Sequence, residues 1–285
     1  MEFVMENSAV YLEKMFTFIR GAGAVALKYM SESGPALKSD QSVITEADRA
    51  ISRLCRQSLG EFLKDPAHVL IDEEDPRIGE YLDEKFLSQK KFIWALDPID
   101  GTRLYAKGMP LFGISLGLMK DRQPWLGVVY FPVLNELFFC DGTKSWYVQN
   151  AFSADEKRTL IVPVDEQISA KSLFFCNDTF FDKYRWNDKD FHIMIAACAV
   201  INLCWSALGR GCGCFLRCHI WDFAGSWPII RSAGYDLRTV EGGKVLDKVD
   251  TAFFTKIPKP WQMKEFYLIS SQRNYGVIRS KMDPL

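Results

Sequence analysis

The residues best placed to do chemistry are the two aspartates of Asp97-Pro98-Ile99-Asp100-Gly101-Thr102. An apolar run, Phe92-Ile93-Trp94-Ala95-Leu96, reads as a short buried strand that stops abruptly in front of them. Open α/β sheets hold their chemistry beyond the carboxyl ends of such strands. Asp97 and Asp100 lie close across a turn, with Pro98 restricting the backbone between them. Two carboxylates held this close repel each other unless a cation sits between them, which points to a hard divalent metal. Gly101 and Thr102 then offer backbone N–H groups and a hydroxyl to an anion. The same pattern is also sound turn chemistry, with proline presetting φ and glycine taking positive φ. Alone, the segment admits both a turn and a joint metal and phosphate site.

Further acids stand at comparable places. Asp72-Glu73-Glu74-Asp75 follows the apolar Val69-Leu70-Ile71. A run of charges ordinarily marks a solvated loop. This one leaves the end of a strand, as Asp97 does, and two strands of one sheet would deliver both acidic ends to one edge. Trp221-Asp222 precedes a helix, where an aspartate serves as a simple N-cap and also as a fourth carboxylate. Thr45-Glu46-Ala47-Asp48 has a capping-box pattern that opens another helix.

These residues need a scaffold, and the hydrophobic periodicity supplies one. Residues 8–31 and 46–63 carry apolar side chains at three-to-four spacing and read as amphipathic helices. Strand-like segments follow at 68–71, 91–96, 112–118, 126–131, 136–140 and 146–148, with Asp141-Gly142 as a hairpin turn between the last two. Residues 117–132 read as an antiparallel meander. The stretch 150–168 is more polar and reads as a connection, dividing an N-terminal α+β lobe (1–150) from a C-terminal α/β lobe (151–285). In the second lobe the pattern predicts a strand at 173–176, a helix at 191–208, a strand at 214–217, a helix at 222–232 closed by Gly234, and late strands at 252–255 and 267–270.

Composition narrows the class. With 35 basic and 36 acidic residues the chain shows no bias toward nucleic acid or an anionic membrane. No apolar run approaches the ~20 residues that span a bilayer. Acids near the N-terminus stand where a signal peptide carries basic residues, so a cytoplasmic protein is expected. Eight cysteines in apolar contexts then read as reduced, buried thiols. Cys212, Cys214, Cys218 and His219 lack the paired spacing of a structural zinc site.

Taken in order, Asp48, Glu73-Glu74, Asp97-Pro98-Ile99-Asp100-Gly101-Thr102 and Trp221-Asp222 resemble the D…EE…DP(I/L)DG(S/T)…WD pattern of the inositol monophosphatase-like, magnesium-dependent and lithium-sensitive phosphatases. The resemblance runs over roughly residues 10–270, with Lys38, the Gly127-to-Pro132 segment and Ala233-Gly234 in agreement. It implies the layered α-β-α-β-α sandwich of the inositol monophosphatase and fructose-1,6-bisphosphatase type, a mixed α+β and α/β architecture, and a homodimer. It also implies two to three Mg²⁺ ions, with Mn²⁺ an alternative. Glu73, Asp97 and the Ile99 carbonyl would hold the first. Asp97, Asp100 and Asp222 would hold the second, and a weaker third would rest on Glu73. Gly101, Thr102 and Asp222 would meet the substrate. Glu73 and Thr102 would orient the attacking water, with Asp48 hydrogen-bonded to Thr102. The implied reaction is hydrolysis of a small phosphate monoester such as an inositol, sugar or polyol phosphate.

On the substrate side the chain departs from that pattern. Arg103-Leu104-Tyr105 replaces threonine, asparagine and phenylalanine after the motif, and Ala197-Cys198 stands where the family has glycine-serine. Asn202 stands at the family's aspartate, and no acid in Cys214 to Ile220 matches the one that meets sugar hydroxyls. Arg103 and Arg217 are candidate contacts to a second anionic group, because a guanidinium suits phosphate or carboxylate; an ordinary surface role is the other reading. Histidinol phosphate and 3′-phosphoadenosine 5′-phosphate are alternative substrates, the latter disfavoured by the lack of a lysine-glutamate pair after Thr102. A low-activity, metal-binding homologue with a sensing or scaffold role is a further alternative.

Overall fold

The computed structural model describes residues 2–32, 46–164, 167–187 and 192–285; Lys38 and Thr45 of the expected motifs lie outside them. Helices α1 (Glu2–Glu32), α2 (Glu46–Ser58) and α3 (Gly60–Leu63) precede strand β1 (His68–Asp72). Two short helices, α4 (Ile78–Tyr81) and α5 (Glu84–Leu87), lead to β2 (Phe92–Asp100), and α6 (Thr102–Tyr105) follows it. Then come β3 (Gly113–Lys120), β4 (Gln123–Phe131), β5 (Glu136–Cys140), β6 (Ser145–Gln149) and β7 (Lys157–Ile161). The described residues of β1 to β7 make one seven-stranded sheet in sequence order. Only its first pair is parallel, with Asp72 opposite Leu96; the rest is the expected antiparallel meander.

A second sheet, ordered β10-β8-β11-β13-β12, is built from β8 (Leu173–Cys176), β10 (His192–Ile195), β11 (Cys214–Leu216), β12 (Tyr235–Thr239) and β13 (Tyr267–Ser271). Strands β9 (Tyr184–Trp186) and β14 (Met282–Pro284) pair separately. Helices α7 (Ala199–Ala207), α8 (Ile220–Ala224) and α9 (Trp227–Ser232) lie between the sheets, and α10 (Gln272–Arg279) covers the far side.

The apolar pattern explains this stacking. Met15, Phe18 and Ile19 of α1 and Ile51 of α2 bury against Trp94 and Leu116 on one face of the first sheet. Its other face, through Phe131 and Phe138, meets Val200, Phe223 and Trp227 of the middle helices, which also contact Leu216 and Leu237 of the second sheet. Phe174, Phe215 and Leu268 turn outward to meet Ile278 of α10. Burial of both faces of both sheets gives the five-layer α-β-α-β-α sandwich expected. No described helix is long and apolar enough to cross a membrane.

Several local expectations are corrected. Strand β2 does not stop at Leu96; it runs through Asp100, with its register against β3 shifting between Asp97 and Asp100. The stretch 150–168 is not only a connection, since β7 lies within it as an edge strand whose first four residues are exposed and polar enough to hide the pattern. In place of one helix over 191–208 there is β10, paired with β8, and then α7 from Ala199. The short His-Ile-Met-Ile run suits either state by periodicity alone. Of residues 252–255, Ala252 and Phe253 lie in a 3₁₀ turn, Thr251–Phe253, capped by the Asp250 side chain, and Phe254 makes a single antiparallel bridge to Met263 in place of the expected strand. The helices expected at 46–63 and 222–232 are each broken, at Leu59 and at Gly225-Ser226.

One pair of glycines fixes the middle layer. A methyl on Gly117 of β3 would strike the Ala224 backbone, and one on Gly127 of β4 would strike the Gly225 carbonyl. Their bare backbones let α8 lie directly on the sheet, which brings Asp222 to the end of β2.

Candidate active site

The acidic ends of β1 and β2 arrive side by side because the strands are parallel and in register up to Asp72 and Leu96. Glu73 donates its N–H to the Leu96 carbonyl at 3.3 Å, which places it beside Asp97. Within β2, Asp97 pairs with Ser115 and Asp100 with Gly113, and Pro98-Ile99 form the irregularity between them. Such bulges re-aim side chains at sheet ends. Here both carboxylates turn toward the middle helices. Gly101 adopts φ +88°, and a Cβ there would lie 3.0 Å from the Leu111 carbonyl and 3.2 Å from Cys198 Cβ. The position therefore suits glycine alone. Thr102 Oγ1 donates to the Ile99 carbonyl at 2.9 Å, closing the turn on the oxygen that the family resemblance assigns to metal.

Asp222 comes from the opposite side. It is the third residue of α8; its Oδ2 accepts the His219 N–H at 2.8 Å, and its own N–H donates to the His219 carbonyl at 3.3 Å. The Ser115 hydroxyl donates to the Trp221 carbonyl at 3.3 Å, tying α8 to β3 beside Asp97. Asp48, buried in the first turn of α2, is close enough to act on the charge of Glu73. Asp100 reaches the start of α7, where its Oδ2 accepts the Val200 N–H at 2.6 Å and lies 3.2 Å from Cys198 Sγ.

The electrostatics follow from this crowding. Burial, then the carboxylates of Glu73, Asp100 and Asp222, push Asp97 far above the usual carboxylate range. Glu73 sits between the cleft walls; enclosure, then Asp222 and Asp48, raise it well above its ordinary value. Asp100 is pushed up to about 7 by burial and Asp222, against the opposing hydrogen bonds from Val200, Cys198 and Gly101. Cys198, buried beside Asp100, is raised as well, so its thiol stays protonated and donates.

Carboxylates that destabilise one another in this way call for a cation. Asp97 Oδ1 is buried with no hydrogen-bond partner, an orphaned acceptor at the centre of the cluster. Among the described residues no three His, Cys, Asp or Glu groups are already drawn in around a common point. Asp100 and Asp222 each turn an oxygen to a backbone donor. An all-oxygen donor set with one unsatisfied carboxylate oxygen fits a hard divalent ion such as Mg²⁺.

The cluster opens into a cleft of about 500 Å³ between the two sheets. Of the residues singled out from sequence, Glu73, Gly101, Thr102, Arg103, Arg217 and Asp222 line it. Asp97 lies beneath its floor, 2 % exposed. Arg103 is largely exposed and pairs with Asp178 at 3.5 Å. Sequence reasoning missed Asn177, Thr179 and Gln262, which also line the cleft, and weighed His219 only as part of a zinc pattern. His219 stands three residues before Asp222, a helix-capping distance that could have flagged it. Asn202 is buried, donates to the Ala196 carbonyl at 3.2 Å and leaves its own Oδ1 without a partner.

With this geometry in view, the chain matches the model of the inositol monophosphatase family over residues 9–275. It is 26% identical to inositol monophosphatase 1 of Mus musculus over 249 residues, 84% of each chain. A histidinol-phosphatase of Chlorobaculum parvum is 34% identical over 119 residues, 41% of this chain and 42% of that protein. Among solved structures, an IMPase/NADP phosphatase complexed with Mg²⁺ and phosphate superposes with a TM-score of 0.73 at 16% identity, covering 96% of this chain and 95% of that one. The chain belongs to the inositol monophosphatase family, whose members are phosphatases that hydrolyse phosphate monoesters.

Proposed function

We propose that this phosphatase hydrolyses a small phosphorylated metabolite with Mg²⁺ at the Glu73–Asp97–Asp100–Asp222 cluster, by in-line attack of water on phosphorus. The observation that carries the reading is the buried, unpartnered Asp97 Oδ1 surrounded by carboxylates that raise one another. Glu73, Asp97, Asp100, Asp222 and the Ile99 carbonyl would hold the metal. When bound, it neutralises the charge of the ester, whose self-repulsion makes uncatalysed hydrolysis among the slowest known, and makes water a better nucleophile at neutral pH.

The chain supplies the rest. Glu73 lines the cleft beside Asp97 and accepts a hydrogen bond from the attacking water. Thr102 shares that water through its hydroxyl, which the Ile99 carbonyl holds in place. Asp48, buried in α2 and close enough to raise Glu73, is the partner that the resemblance assigns to Thr102, although the Thr102 hydroxyl donates to the Ile99 carbonyl here. The backbone N–H of Thr102 steadies the phosphate, while that of Gly101, which the family pattern also assigns to it, is drawn to the Asp100 carboxylate. Within the family pattern the weakest metal position is open to lithium, so high-millimolar Li⁺ inhibits turnover.

The histidinol-phosphatase likeness keeps histidinol phosphate among the substrates to be tried beside inositol and sugar phosphates. The experiment is release of inorganic phosphate from such a panel with Mg²⁺ and with chelator. Turnover of at least one ester that depends on Mg²⁺ supports the reading. Metal binding without turnover of any ester would favour a sensing or scaffold role instead.

A further inference from the structure

We infer that Arg217 forms a subsite for a second anionic group on the leaving alcohol, so that the preferred substrates carry a carboxylate or second phosphate besides the phosphate removed. This rests on the phosphatase reading above and concerns the wall opposite the carboxylate cluster. Arg217 follows β11 directly, on the second sheet, and lines the same cleft as Glu73, Thr102 and Asp222.

Its guanidinium is set in place from two sides. Nε donates to the Met263 carbonyl at 2.9 Å, and the group lies 5.5 Å from the Phe266 ring centroid, a cation–π contact. No carboxylate pairs with it among the described residues, which leaves the two terminal nitrogens as donors. A guanidinium held this way loses little freedom when it grips an anion through its planar fork.

The rest of the lining agrees. Outside the metal cluster, Asp178 is the one carboxylate on the wall among the described residues, and it is paired with Arg103. A wall rich in donors and short of carboxylate acceptors binds anions better than the hydroxyls of a neutral polyol.

Two matched pairs of esters test this with Mg²⁺ present. In the first, 3-phosphoglycerate replaces a hydroxymethyl of glycerol 3-phosphate by carboxylate. The second compares fructose 1,6-bisphosphate with fructose 1-phosphate. At least one doubly anionic member should exceed its partner in kcat/KM by about tenfold, the size of one charge-assisted contact. Arg217→Ala should erase that preference chiefly through KM, and Arg217→Lys should restore part of it. The pair that responds tells carboxylate from phosphate. Equal kcat/KM within both pairs, or an Arg217→Ala loss identical for both members, would overturn the subsite. Calorimetric binding of 3-phosphoglycerate and fructose 1,6-bisphosphate to both proteins gives a readout without turnover. A weakening by Arg217→Ala in a protein that hydrolyses nothing would keep the subsite and refute the hydrolase; unchanged binding of both would refute the subsite.

Discussion

At the scale of single residues, the cluster is a store of unfavourable charge that a cation relieves. Asp100 sits at about 7 in the folded chain, whereas an aspartate in an unfolded chain titrates near ~3.9. Between those values the folded state binds more protons than the unfolded one. The stability that Asp100 contributes is therefore complete below about pH 4 and lost as pH rises through 7. Without divalent metal, the melting temperature should fall over that interval, and millimolar Mg²⁺ at pH 7.5 should restore it by binding the folded state alone. Asp100→Asn should flatten part of the fall. A melting temperature independent of pH from 4 to 8 in the metal-free protein would contradict this electrostatic picture. The individual acids are legible in the sequence because each leaves an apolar strand or opens a helix. The link between Cys198 and Asp100 is not legible, since it joins residues 98 positions apart and follows no local spacing.

At the scale of elements, precision comes from how α2 and α8 are seated. Arg56 of α2 donates to Asp72 at 2.9 Å and Asp75 at 3.1 Å, and Ser52 donates to Asp72 at 2.5 Å. These contacts pin the helix that carries Asp48 to the strand end that carries Glu73. Arg56→Ala leaves the fully buried Asp72 without its cation. Because Arg56 itself is partly exposed, the expected loss is about 1–3 kcal/mol in urea denaturation. The Mg²⁺ concentration for half-maximal activity should rise several-fold with it; an unchanged value would mean that this network does not position Glu73.

On the other side, Gly127→Ala would drive a methyl into the Gly225 carbonyl. A clash of β4 with the backbone after α8 should cost about 1–3 kcal/mol or more and reduce activity, since Asp222 moves with α8. Wild-type melting and turnover in that variant would contradict the close seating. Periodicity locates most of these elements, but β7 and β10 escape it. The first is an exposed edge with a polar face, and the second is only four residues long.

At the scale of the whole molecule, the site lies where two sheets approach across one layer of helices. Glu73, Asp97 and Asp100 come from the first sheet, Asp222 from the helices between, and Arg217 from the end of the central strand of the second sheet. Metal binding should therefore protect distant segments together. Hydrogen exchange should slow over 72–75, 97–102 and 219–224 on adding Mg²⁺, and protection confined to one segment would argue against a shared cluster. The five-layer order itself follows from apolar faces on both sides of both sheets. Which wall of the cleft faces the leaving alcohol does not follow from any local pattern. The most direct test is phosphate release by the wild-type protein and Asp97→Asn, side by side, as Mg²⁺ is titrated at pH 7.5. Removing the central buried carboxylate should lower turnover by several orders of magnitude, on the order of 10³-fold or more, if it stabilises the metal that neutralises the transition state. Near-normal, Mg²⁺-dependent turnover in Asp97→Asn would contradict the assignment of the site.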